Sequence, residues 1–224
     1  LNAGSSGDDE LNGGAGDDRL VFANGEFTNM DSVDGGAGED TLVLEGDIDF
    51  SMPANQTLIN NNASNIEILE TGTTSDIDIG TDVTVVDQLV TTAAITGTAG
   101  QTPGTAGVAF TNADGGEALT AEAAITGGTG TDGSGTVGAV GGAGISHAGS
   151  ATDFTVTLED DVTGGAGGAG DGADSGNNGG AGGAGLTVGS SVTELTLTLD
   201  GSMIQGNRPL RAALVFVDDG FGRG

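Results

Sequence analysis

Cysteine, lysine, tryptophan and tyrosine are missing from these 224 residues. Without cysteine there is no disulfide, no thiol nucleophile and no thiolate metal site. The aromatic content is 3%, all of it Phe, so no core of large rings can form and the ring platforms of sugar-processing sites are lacking. Basic residues are confined to Arg19, Arg208, Arg211 and Arg223, too few to neutralise a phosphate backbone, which argues against nucleic acid as a partner. The single histidine, His147, cannot make a two-histidine zinc-protease motif. No G-x-S-x-G nucleophile elbow occurs. No apolar run approaches the ~18 residues of a membrane span, so the chain is not expected to be transmembrane. His147, in GISHAGS, reads as a surface loop residue and not as a catalytic one. These absences point away from an enzyme.

What is present is acid and glycine. Thirty-three Asp and Glu give a formal net charge of −29, and 46 residues are Gly. Self-repulsion of that size opposes compaction unless cations neutralise it. A chain without disulfides needs another staple, and bound metal is one. Yet 35% of residues are hydrophobic, and Thr, Val, Leu and Ile recur in alternation, the pattern of strands packed in thin layers.

Three short segments repeat. Residues 4–11 read GSSGDDEL, 13–20 GGAGDDRL and 35–42 GGAGEDTL. Gly4 to Gly13, Asp9 to Asp18 and Leu11 to Leu20 are nine-residue steps, and the third unit keeps the same internal spacing. Glycine lets the backbone bend tightly around an ion. Asp supplies hard oxygen ligands on a short stem, which suits Ca²⁺ with its six to eight oxygens. Leu11, Leu20 and Leu42 would point inward and stack.

These units resemble the nonapeptide GGxGxDxUx of the RTX (repeats-in-toxin) family, where U is a large apolar residue. The resemblance covers about residues 1–45. It implies a parallel β-roll in which calcium lies between same-side turns of successive passes, held by Asp carboxylates and turn carbonyls. The positions it assigns to the metal are Gly4, Gly7, Asp9, Gly13, Gly14, Gly16, Asp18, Gly35, Gly36, Gly38 and Asp40. Asp8, Asp17 and Glu39 hold the adjacent variable position. Ser5 replaces the second glycine of the first unit, and residues 22–34 offer at most a degenerate turn around Asn24-Gly25. One or two calcium sites are expected. Leu1 falls inside the repeat pattern, which reads as the start of a processed product or fragment.

Three regions follow from the texture: 1–50 as the calcium β-roll, 51–96 as a solenoid continuation or small sheet, and 97–224 as a Gly/Thr-rich β domain, sandwich-like or rolled. The expected fold is all-β. In the middle region Asn-rich turns alternate with strand-like pieces such as Ile66–Ile68 and Ile77–Ile79, and Asp76, Asp78 and Asp82 read as a solvated strand face in preference to a further cation site. In the last region DFTVTL (153–158), VTELTLTL (192–199) and LRAALVFVDD (210–219) read as strands. GGAGGAG occurs twice, at 164–170 and 179–185. For an isolated domain this 164–185 insertion reads as a flexible loop; a glycine-lined layer where backbones pack closely, for example against another subunit, is the other reading. Asp160-Asp161 and Asp218-Asp219 fit turns or cation sites.

The function expected is a secreted calcium-binding structural protein of a bacterial surface: an S-layer subunit, extracellular filament or adhesin stalk that self-assembles into a homo-oligomer, lattice or filament. Similarity to RTX proteins implies type I export as an unfolded chain that folds on meeting extracellular calcium. The alternatives are the non-catalytic secretion module of a larger enzyme, and a calcium-dependent adhesin module for a ligand such as a cell-surface glycan.

Overall fold

The structure is a computed structural model. It describes residues 1–3, 7–111, 116–133, 137–148, 153–170, 179–189 and 192–206, and the backbone of 215–216. Gly4, Ser5, Arg208, Arg211, Arg223, Asp218-Asp219 and most of the expected strand at 210–219 lie outside the described residues.

The strands in chain order begin with β1 (Glu10–Ala15), β2 (Arg19–Phe22), β3 (Ser32–Ala37) and β4 (Thr41–Leu44). After helix α1 (Pro53–Asn62) come β5 (Ala63–Ser64), β6 (Ile68–Thr71), β7 (Ile77–Ile79), β8 (Gln88–Thr91) and β9 (Ile95–Thr96). Then follow β10 (Val108–Phe110), β11 (Glu117–Ala121), β12 (Ile125–Thr126), β13 (Ile145–His147) and β14 (Asp153–Leu158). The last are β15 (Val162–Thr163), β16 (Leu186–Val188), β17 (Glu194–Leu199), β18 (Ile204–Gln205) and β19 (Val215–Phe216).

Among the described residues every strand pairing is parallel. The chain is mostly strand, with one α-helix among the described residues. An eight-stranded sheet runs β2-β4-β6-β8-β11-β14-β17-β19, beside four-stranded sheets β7-β10-β13-β16 and β9-β12-β15-β18 and a three-stranded sheet β1-β3-β5. Neighbours in a sheet are one pass of the chain apart.

One register runs through the long sheet. Leu20 lies beside Leu42, then Leu69, Leu89, Leu119, Val156 and Leu197. All seven are at most 3% exposed. Their alternate neighbours in the strands point outward, as a period of two requires. Each buried side chain of this size contributes roughly 1.5–3 kcal/mol. A pass buries its Leu only against the next one, so the column stabilises the passes jointly. Phe22, Phe50, Phe110 and Phe154 fill the wider parts of the same core.

The helix was not expected. Pro53 starts it, a position where the missing N–H is not needed. Only Ile59 is fully buried. The polar helix is held by side-chain bonds: Gln56 Nε2 donates to Asp82 Oδ1 at 2.8 Å, and Asn60 Nδ2 to the Asp82 carbonyl at 2.9 Å.

The glycine tracts at 164–170 and 179–185 form a hydrogen-bonded layer and not a flexible loop, while residues 171–178 between them lie outside the described residues. Gly127, Gly130 and Gly133 donate their N–H groups to the carbonyls of Thr163, Ala166 and Ala169. Gly141 and Gly144 donate to Ala181 and Ala184, and Gly165 and Gly168 to Gly142 and Ala139. The bonds recur every three residues, the period of polyproline II, a conformation with no internal hydrogen bonds and a backbone free to bond sideways. A Cβ on Gly142 would collide with the Thr105 carbonyl, and one on Gly183 with the Gly142 carbonyl. The packing partner of the glycines is therefore the same chain, and GGA repeats place Gly inward and Ala outward.

Candidate metal centre

The nine-residue step puts Leu11 and Leu20 in different sheets, and the 22-residue step stacks like on like. Gly14 of β1 pairs with Gly36 of β3, and Leu20 with Leu42. GGAGDD at 13–18 thus lies directly against GGAGED at 35–40. Gly14 and Gly36, at φ +95° and +102°, turn both chains through the left-handed region. A Cβ on Gly36 would collide with the Gly14 carbonyl, so glycine lets the two turns touch.

The carboxylates follow the same register. The Asp18 N–H donates to Asp40 Oδ1 at 2.8 Å. Asp40 is fully buried, and its Oδ2 has no hydrogen-bond partner. A buried carboxylate oxygen without a donor costs free energy unless something positive meets it. A Cβ on Gly35 would lie 2.7 Å from that Oδ2, and one on Gly13 would lie 2.9 Å from Asp18 Oδ2. Each Asp therefore folds back over the first glycine of its own unit. At the variable position, the Glu39 N–H donates to Asp17 Oδ1 at 3.0 Å.

The first unit behaves differently. Asp9 does not stack on another glycine unit; its N–H donates to Asp31 Oδ1 at 2.8 Å. Asp31 is 3% exposed, and its Oδ2 accepts from the Thr28 N–H and hydroxyl at 2.6 and 2.9 Å. Asn24-Gly25 does form a turn, but the residue in register with Asp9 is Asp31. Both oxygens of that carboxylate have donors, so this side is closed by hydrogen bonds. Gly7 is exposed ahead of it at φ +140°.

Two further acids continue the column beyond the repeats. The Asp40 N–H donates to Glu67 Oε2 at 2.8 Å, and Asp87, one pass on, donates its N–H to the Glu67 carbonyl. Both directly precede strands of the long sheet, as Asp18 and Asp40 do. Sequence reasoning missed them because no glycine unit marks their passes.

Among the described residues no group of three or more His, Asp or Glu side chains gathers as a metal centre. The donors at 13–18 and 35–40 are two carboxylates and turn carbonyls, all hard oxygens. That set fits Ca²⁺ and not a soft metal. The orphaned Asp40 oxygen and the glycine cradle beneath it are the features a cation would satisfy. Arg19 pairs with Glu70 through two bonds of 2.8 and 2.9 Å.

Elsewhere, Asp82 is pushed up to about 6, first by burial and also by the charges of Asp78 and Asp76, against a lowering bond from the Asp78 N–H. Asp78 is raised as well, by burial. These two are half-buried groups bound to α1 and to Thr111, not a solvated face. Asp161, directly before β15, accepts from the Met203 N–H at 2.8 Å.

His147 overturns its surface-loop reading. It ends β13, is 1% exposed and packs on Phe154 at 4.6 Å and Phe110 at 6.2 Å between ring centroids. Neither ring nitrogen has a hydrogen-bond partner. Burial lowers its pKa, and the Glu117 charge opposes that only in part. No helix among the described residues is long and apolar enough to cross a membrane. No family model, no curated protein and no solved structure matches the chain.

Proposed function

We propose that this chain is a secreted calcium-binding structural protein of a bacterial surface, with its parallel sheets wound as a β-roll that continues as a solenoid. The observation that carries this reading is the stacking of 13–18 on 35–40, with Asp40 buried and one of its oxygens lacking a donor. The RTX resemblance of residues 4–42 supplies the second support. Calcium neutralises the carboxylate column and joins successive passes, so metal binding and folding are one event. The chain is exported unfolded where calcium is scarce and folds outside the cell.

Assembly into a homo-oligomer, lattice or filament follows from the same charge logic. At a net charge of −29, copies repel until divalent ions bridge or screen them. Ca²⁺ titrated into chelated protein tests both steps. Circular dichroism should gain β signal, and electron microscopy should show ordered particles. A gain of structure with particles that stay monomeric would favour the accessory or ligand-binding module. No gain at all would remove the calcium reading.

A further inference from the structure

The structural device at 13–18 and 35–40 is built a second time, one pass further on, from residues outside any glycine unit. In the first copy, Gly13 lies under Asp18 Oδ2 and the Gly35 carbonyl, and the Asp18 N–H bonds to the next carboxylate, Asp40. In the second, Gly35 lies under Asp40 Oδ2 and the Asn65 carbonyl, and the Asp40 N–H bonds to the next carboxylate, Glu67. Each role is filled in both.

Asn65 shows what the second copy required. It is the one non-glycine residue with positive φ among the described residues, at +50°. Asn tolerates the left-handed region better than most residues. There it turns its carbonyl onto Gly35, while its side-chain Nδ2 donates to Asp34 Oδ1 at 2.8 Å and fixes the turn. Glu67 stands where the repeat has Asp, one methylene longer, and still reaches the Asp40 N–H. The atom that points to a ligand is Asp40 Oδ2: fully buried, without a donor, and on the same side of Gly35 as the Asn65 carbonyl.

We propose that Asp40 Oδ2, the Asn65 carbonyl and the Glu67 carboxylate form a second site for a hard divalent cation, Ca²⁺ by its all-oxygen donors. Asp40 is then shared by two ions, one on each side of its pass. The proposal rests on the calcium reading of the first pair of turns but adds residues that the repeat does not contain. The second ion ties the repeat region to the pass carrying β5 and β6, so binding there spreads order past residue 45.

The test is Ca²⁺ stoichiometry on the full chain by isothermal titration, with terbium luminescence as a second readout. Glu67→Gln keeps the acceptor for the Asp40 N–H and removes only the charge. It should bind one ion fewer than the wild type. Asp18→Asn should also lose one ion, and the double variant two. If Glu67→Gln binds as many ions as wild type, equally tightly, while Asp18→Asn loses one, the second site is wrong and the first stands. If wild type binds none at millimolar Ca²⁺, both fall.

Discussion

Asp40 links its own segment to the parallel segments on either side of it. One oxygen takes the N–H of Asp18, its own N–H reaches Glu67, and the other oxygen has no donor. Asp40→Ala should cost about 1–3 kcal/mol without metal, from the stranded Asp18 N–H, read as a shift in the denaturation midpoint. In calcium the loss should be larger, because the wild type gains from the ion and the variant does not. That the units carrying Asp18 and Asp40 stack on each other, and that Leu20 and Leu42 are core, was legible in the repeat. Asp31 was not, because EFTNMD has no glycine pair to mark it, and only the 22-residue register brings it under Asp9. His147 was misread for a related reason: flanking Gly and Ser suggested a loop, but Ile145-Ser146-His147 alternates as a strand and faces Phe110 and Phe154. Its lowered pKa sets a sign. The unfolded chain takes up a proton near pH 6.5 that the folded chain refuses, so His147 stability is present above that pH and lost as pH falls below it. Glu117, the charge beside it, moderates the loss. His147→Leu should flatten the melting temperature between pH 7 and pH 5.

Among the elements, the glycine tracts and α1 diverge most from a sequence reading, and for opposite reasons. A glycine run reads as entropy because glycine loses the most freedom on ordering. Here that cost is offset by backbone packing and by hydrogen bonds that recur every third residue, and the three-residue GGA period was the signal. Gly142→Ala should destabilise by about 1–3 kcal/mol or more, since its Cβ meets the Thr105 carbonyl. Ala143→Ser, on a neighbouring outward position, should be close to neutral in the same thermal melt. The helix was hidden by Asn55, Asn60, Asn61 and Asn62, which favour turns in isolation. Tertiary bonds to Asp82 decide otherwise. With Asp82 raised to about 6 from 3.8, the folded state holds a proton that the unfolded chain releases. Its contribution is full below pH 3.8 and lost as pH rises through 6, opposite in sign to that of His147. Asp82→Asn should remove this dependence, measured as the slope of melting temperature between pH 4 and pH 6.

Across the whole molecule, the eight-stranded sheet draws strands from 1–50, 51–96 and 97–224 alike. Parallel strands could not be inferred from alternation, which is the same for parallel and antiparallel pairs; the repeat alone implied parallel passes, and only for its own fifth of the chain. The end-to-end Leu column means that order gained at one end propagates by nearest-neighbour burial, as in other stacked architectures. Calcium at the Asp column is therefore proposed to act on more than the residues that hold it. The most direct test is a Ca²⁺ titration of chelated protein followed by hydrogen exchange at the amides of residues 10–22, 32–44 and 63–71. The account predicts that protection appears in all three segments together as calcium is added, and that Asp40→Asn abolishes it in all three. Full protection in the presence of chelator, unchanged by calcium, would contradict it.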